Sequence, residues 1–223
     1  LMLYAAAVLG SAAMVGGLFA FLCTMALAEK SGGTTNSYVL SGVIVGLVFS
    51  AVQIIMLVFS GMKVSSSLLW LFGSFSNVVW EQVWLVLVPV LAISIACTRW
   101  AKEFNLVLLG QDEARQMGLD AKLFSRAMLV VASVLTSICV AFVGIIGFVG
   151  LVIPHLCRIL LGGDHRLVLP ASMAFGGVLV IVTDLVSRMI VPGYELPVGA
   201  ITTLIGVPVF AYLLVKRGKM YEG

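Results

Sequence analysis

The chain has 223 residues, 61% of them hydrophobic and 10% charged, and its mean hydropathy of +1.18 excludes an ordinary water-soluble domain. Its net charge of +3, scattered among the loops, excludes an extended nucleic-acid surface. The expected fold class is all-α: a polytopic transmembrane helix bundle, one transmembrane domain over residues 1–223.

A helix needs about 20 apolar residues to cross a hydrocarbon core of roughly 30 Å. Seven segments meet or approach that length: Leu3 to Leu27, Tyr38 to Ser60, Val83 to Thr98, Phe124 to Ile146, Phe148 to Leu161, Val168 to Ile190 and Gly199 to Val215. The inner connection after the first span reads GGTTNSYVLSG (32–42), where Thr, Asn and Ser are all preferred helix caps, so an N-cap for the second span fits the residues. Between the second and third spans, Trp70, Trp80 and Trp84 suit the headgroup level and point to a half-buried interfacial helix; a ligand-stacking platform is the other reading.

The segment from Arg99 to Arg126 holds nine of the 23 charged residues, and such a polar island cannot lie in lipid. Inside it, Gln111, Asp112 and Glu113 place acidic groups in the first turn of a short helix that Gly110 and Gly118 bracket. Asp112 can pair with Arg115, and Ala114, Met117 and Leu119 form a small apolar stripe on a charged body. Two readings fit: a helix that docks a soluble partner at the membrane surface, and a solvated loop joining two spans.

The fifth span is short, contains Pro154 and follows Gly144, Gly147 and Gly150, so a sharp re-entry and a kinked helix are expected there. His155 would satisfy backbone freed by the kink, and His165, beside Asp164 and Arg166, would sit in a tight turn. In the sixth span Asp184 and Arg188 lie one turn apart near its outer end, placed to pair. Glu195, before Pro197, reads as an outer-turn acid that caps the last span or lines a vestibule. Neither histidine has a second metal-ligating residue at helical spacing, and Cys23, Cys97, Cys139 and Cys157 lie in apolar runs without CxxC spacing, so no metal site is expected. Paired small residues, Gly16–Gly17, Gly42/Gly46 and Gly176–Gly177, permit close helix approach.

Alternating the spans gathers eleven basic residues on one side, and only Lys63 and Arg188 fall on the other. By the positive-inside rule the 99–123 loop and the C-terminus face the cytoplasm. An odd number of spans places Leu1 outside, already in an apolar run without the flanks of a signal peptide. The expectation is a C-terminal portion of a longer protein.

Four ordered motifs, LLGQDEARQMGL (108–119), GFVGLVIPHLCRIL (147–160), GDHR (163–166) and DLVSRMIVPGYELPVGAITTLIGVPVFAYLL (184–214), closely resemble the FecCD-type permease subunits of binding-protein-dependent ATP-binding-cassette importers for iron siderophores, haem and vitamin B12. The resemblance implies the last seven of ten helices. It makes residues 99–123 the coupling loop, with the family pattern on Leu109, Gly110, Ala114, Arg115, Gln116 and Gly118. The same likeness makes Arg188 the arginine that receives a glutamate from the ligand-binding protein, in place of a helix-end ion pair alone, and makes Thr35 and Asn36 part of a cytoplasmic gate. No GxxxxGK[ST] stretch occurs, so the chain is expected to be no enzyme and to hold no cofactor, with ATP and magnesium on a partner ATPase.

The implied partners are a second permease copy in a homodimer, two cytoplasmic ATPase subunits, a periplasmic or lipid-anchored substrate-binding protein and membrane lipid, with no nucleic acid. The implied location is a bacterial or archaeal cytoplasmic (inner) membrane. Ferric siderophore is the expected cargo, with haem, cobalamin or an oxyanion as alternatives; an ion-coupled secondary transporter is the reading from another class.

Overall fold

A computed structural model describes residues 2–59, 72–76, 78–191 and 195–221. The described residues form helices and connections: α1 (Met2–Lys30), α2 (Thr35–Phe59), α3 (Trp80–Thr98), α4 (Ala101–Leu109), α5 (Gln111–Gln116), α6 (Ala121–Val143), α7 (Val149–Leu161), α8 (His165–Met189) and α9 (Val198–Tyr221). Five helices have a described stretch long and apolar enough to cross a membrane: 11–30 of α1, 36–59 of α2, and all of α3, α6 and α8. At 1.5 Å per residue the 13-residue α7 is only about 20 Å long and cannot cross alone. The chain is a multi-pass membrane protein.

The fold divides into two compact units, one of Leu1–Leu68 with Arg126–Phe142, the other of Leu69–Ser125 with Val143–Gly223. In the first, α1 packs along α2, and Phe19 meets Phe49 edge to face at a centroid distance of 6.2 Å. Gly17 lies against Ser137, where an added Cβ would overlap the serine hydroxyl. The turn between α1 and α2 follows from two glycines. Gly32 and Gly33 have φ of +98° and +64°, and their N–H groups donate to the carbonyls of Glu29 and Ala28, which closes α1 as a Schellman motif.

In the second unit, α7 packs on α8 around buried Ile153, Cys157 and Val168. The start of α9 is pinned by backbone: the Val198 N–H donates to the Gly73 carbonyl at 2.9 Å, and the Ser74 N–H to that of Val143 at 2.9 Å. Gly199 lies where a Cβ would collide with the Phe72 and Ile145 carbonyl oxygens, so only glycine lets these three segments cross.

Several expectations change in detail. Val83 was the expected start of the third span, but the helix begins at Trp80, and both Trp80 and Trp84 are exposed on it. The interfacial helix expected over Gly61 to Gln82, with Trp70, lies mostly outside the described residues. The 99–123 loop carries two helices, α4 and α5, where one was expected. Pro154 does lie inside α7, where a single carbonyl loses its partner, but the His155 side chain forms no hydrogen bond among the described residues, so it does not satisfy that carbonyl.

Candidate functional site

Three groups of residues singled out in the sequence can be placed, the first on the polar loop. Gly110 has φ +116° and ψ 167°, a conformation essentially restricted to glycine, and it separates α4 from α5 with a sharp change of direction. At the other end of α5, Gly118 has φ +83°; its N–H donates to the Arg115 carbonyl, and the Leu119 N–H donates to that of Ala114 at 2.9 Å. This is a second Schellman cap. Ala114 is fully buried, whereas Asp112, Glu113, Arg115, Gln116 and Met117 are exposed, as are Leu108 and Leu109 before the turn. The expected Asp112–Arg115 ion pair is not formed: both side chains extend into solvent, where such a pair gains little.

The platform beneath this knob is α4. Phe104 is stacked on His165 at 5.5 Å and meets Phe124 edge to face at 5.2 Å. Asn105 does three things at once. Its Nδ2 donates to Asp164 Oδ1 at 2.7 Å, while its Oδ1 accepts from the His165 backbone N–H at 2.9 Å and lies 2.8 Å from the ring Nδ1. That assigns the ring proton to Nδ1. Asp164 also accepts from the Arg166 N–H as the N-cap of α8, and this bond, followed by that from Asn105, holds its carboxyl below the usual range. The GDHR turn is thus the tight turn expected, with Asn105 an added partner. A polar residue inside the short apolar run FNLVLL was the sequence cue for it.

The second group is at the far end of α8. Arg188 Nε donates to Asp184 Oδ2 at 3.0 Å, the expected pair, and Arg188 Nη1 donates to Glu195 Oε1 at 3.1 Å. Glu195 also accepts from the Ser76 hydroxyl. The arginine remains 41% exposed, so it is held but reachable. Glu195 was expected as a cap or vestibule acid; its place is the second carboxylate on Arg188.

The third group is the turn before α2. The cap is Thr34, whose Oγ1 accepts from the Ser37 N–H at 3.2 Å and sits 2.9 Å from the Ser37 hydroxyl, which in turn donates to the Ser31 carbonyl at 2.8 Å. The side chain of Asn36 is exposed and makes no hydrogen bond among the described residues, and the side chain of Thr35 lies outside them. Capping therefore leaves Asn36 uncommitted. One cluster escaped the sequence reading: Arg126 forks onto the Glu29 carboxylate, Nε to Oε1 at 2.8 Å and Nη2 to Oε2 at 2.5 Å, and the Tyr38 hydroxyl donates to Oε1 at 2.7 Å. Among the described residues no group of three or more His, Cys, Asp or Glu side chains could hold a metal ion.

Comparison with known proteins follows the same lines. The FecCD transport family matches residues 2–216. The cobalamin import system permease protein of Halobacterium salinarum is 40% identical over 92% of this chain and 56% of its own length. The vitamin B12 import system permease protein of Salmonella typhi is 35% identical over 95% of this chain and 64% of its own. The chain therefore spans less than two thirds of these relatives. A solved structure assigned to the metal-chelate type of ABC transporters, in an inward-facing conformation, superposes with a TM-score of 0.78 at 28% identity, covering 94% of this chain and 74% of that one.

Proposed function

The chain belongs to the FecCD transport family, and we propose that it acts in the membrane-spanning permease subunit of an ATP-binding-cassette importer. The observation that carries this reading is the α5 knob. A six-residue helix, stopped at both ends by glycines in conformations other residues rarely adopt, presents charged and apolar side chains outward from a platform fixed to α8. That arrangement suits a groove on a soluble partner. An ATPase is the partner that the likeness to an ABC transporter supports, and the chain has no phosphate-binding loop of its own. Closure of two ATPases would push paired knobs together and tilt the attached helices, converting hydrolysis into alternating access. The loop and the C-terminus then face the cytoplasm, the motor carries ATP and magnesium, and two permease copies enclose the pathway.

On the opposite face Arg188 receives the binding protein. Glu195 reaches it from beyond the end of α8, whereas Asp184 pairs within one helix. An incoming carboxylate therefore displaces Glu195 and leaves the internal pair. The cargo is a large chelate. Two relatives are named as cobalamin and vitamin B12 permeases, which favours a corrinoid over the ferric siderophore first expected. Purifying the binding protein that serves this permease and identifying its ligand by mass spectrometry decides between them; a bound siderophore would reverse the choice.

The reading is tested in the complete permease reconstituted with its ATPase. Gly118→Pro removes the N–H bonded to Arg115 and forbids φ +83°; Arg115→Glu inverts an exposed charge without touching the core. Both are expected to abolish stimulation of ATP hydrolysis by the loaded binding protein while membrane insertion stays intact. Unchanged stimulation contradicts the assignment.

A further inference from the structure

The Glu29–Arg126–Tyr38 cluster has no place in the three sites above, and its connectivity is unusual. Glu29 lies at the end of α1, one residue before Lys30 closes the helix, and Tyr38 lies in the first turns of α2. Between them stand the connection 31–34 and the first turn of α2, which holds Asn36; the two are braced by the Ser31–Ser37–Thr34 hydrogen bonds and by the two glycines that close α1. The Glu29–Tyr38 bond ties the end of α1 to the start of α2 across that connection. Arg126 joins from a different helix, α6, through a two-bond fork that fixes orientation as well as distance. That helix begins at Ala121, immediately after Gly118 and Asp120, and Asp120 Oδ1 accepts from the N–H groups of Lys122 and Leu123 as its N-cap. Only Met117 to Asp120 separate α5 from the helix that carries Arg126.

We infer that Glu29, Arg126 and Tyr38 are positioning residues, a latch that makes the start of α2, where Asn36 lies, follow α6, and so follow the knob one short connection upstream. The inference rests on the proposed function, in which α5 takes the stroke, and takes the start of α2 as the gate that the family resemblance implies for Thr35 and Asn36. Because Glu29 Oε1 accepts from both Arg126 and Tyr38, a displacement of Arg126 changes the bond that spans the turn. Side chains about one third exposed, as Arg126 and Glu29 are, contribute little to overall stability, so the cluster can be altered without unfolding the protein.

The test uses the complete permease with its ATPase in proteoliposomes, supplied with loaded binding protein, and measures cargo moved per ATP hydrolysed. Arg126→Met, Arg126→Lys and Tyr38→Phe are each expected to keep ATP hydrolysis stimulated but to lower cargo per ATP about tenfold, within the range of a coupling free energy. Lys is included because it retains charge without the fork. The exchange Glu29→Arg with Arg126→Glu re-forms the ion pair with the Tyr38 hydroxyl now accepting, and is expected to restore much of the ratio; thermal midpoints of the single variants equal to wild type separate the latch from a purely structural effect. Wild-type ratios in Arg126→Met and Tyr38→Phe overturn the latch while leaving the importer reading intact. A wild-type complex that hydrolyses no ATP in response to binding protein overturns the importer reading, and the latch with it.

Discussion

At the scale of single residues, most of what positions the sites is backbone chemistry that only glycine permits. Gly199 is the clearest case: its missing Cβ is the space through which the Phe72 and Ile145 carbonyls pass, and backbone cannot swing aside as a side chain can. Gly199→Ala is expected to destabilise by about 1–3 kcal/mol, the usual cost of overpacking, and to lower the thermal midpoint of the detergent-solubilised protein by several degrees; an unchanged midpoint would show that the junction opens readily. Gly118→Ala tests a different cost. No neighbour lies near its Cβ, so the penalty is conformational alone, roughly 1–2 kcal/mol for a left-handed residue, and should appear as faster hydrogen exchange at the Gly118 and Leu119 amides with the spans unaffected. The sequence already made Gly110 and Gly118 helix stops. The requirement at Gly199 was not legible, because it arises where three separate segments cross.

At the scale of elements, five of the seven expected spans were legible as such, because a bilayer imposes one length and one composition on every helix that crosses it, whereas the 13-residue α7 falls short of that length. Helix α2 is apolar around its circumference, with Leu40, Leu47 and Met56 all exposed, and such a run has few alternatives in water. The loop resisted the same treatment, since α4 takes its place from tertiary partners: Phe104 from Phe124 and His165, Asn105 from Asp164. Asn105 supplies an acceptor toward His165 and a donor toward Asp164, and no other uncharged side chain of that length offers both. Asn105→Ala strands the His165 N–H and should cost about 1–3 kcal/mol. Asn105→Asp keeps the acceptor but sets a second carboxylate against Asp164, so at neutral pH it is expected to be the worse of the two in thermal melts of the solubilised protein. The reverse order would mean that the acceptor matters and the donor does not.

At the scale of the whole molecule, the proposed function divides the labour between the apolar spans, which would hold a passage, and the charged loop, which would offer a handle to a motor on another chain. That this loop stands apart from the spans was legible from charge distribution, because lipid excludes charge so strongly that nine charged residues in one segment mark it as outside the membrane. The Glu29–Arg126 pair and the Glu195 partner of Arg188 were not, since each joins residues distant in the chain or across a turn whose direction only the fold sets.

The most direct test addresses the handle itself. Ala114 fits the family pattern but is fully buried, so Met117, 65% exposed on the same loop, is the better probe. A photo-crosslinking residue at Met117 in the complete, membrane-embedded permease is expected to capture the ATPase subunit and to be reached by impermeant reagents only from the cytoplasmic side. Labelling of that position from the outside, with no ATPase captured, would contradict the account.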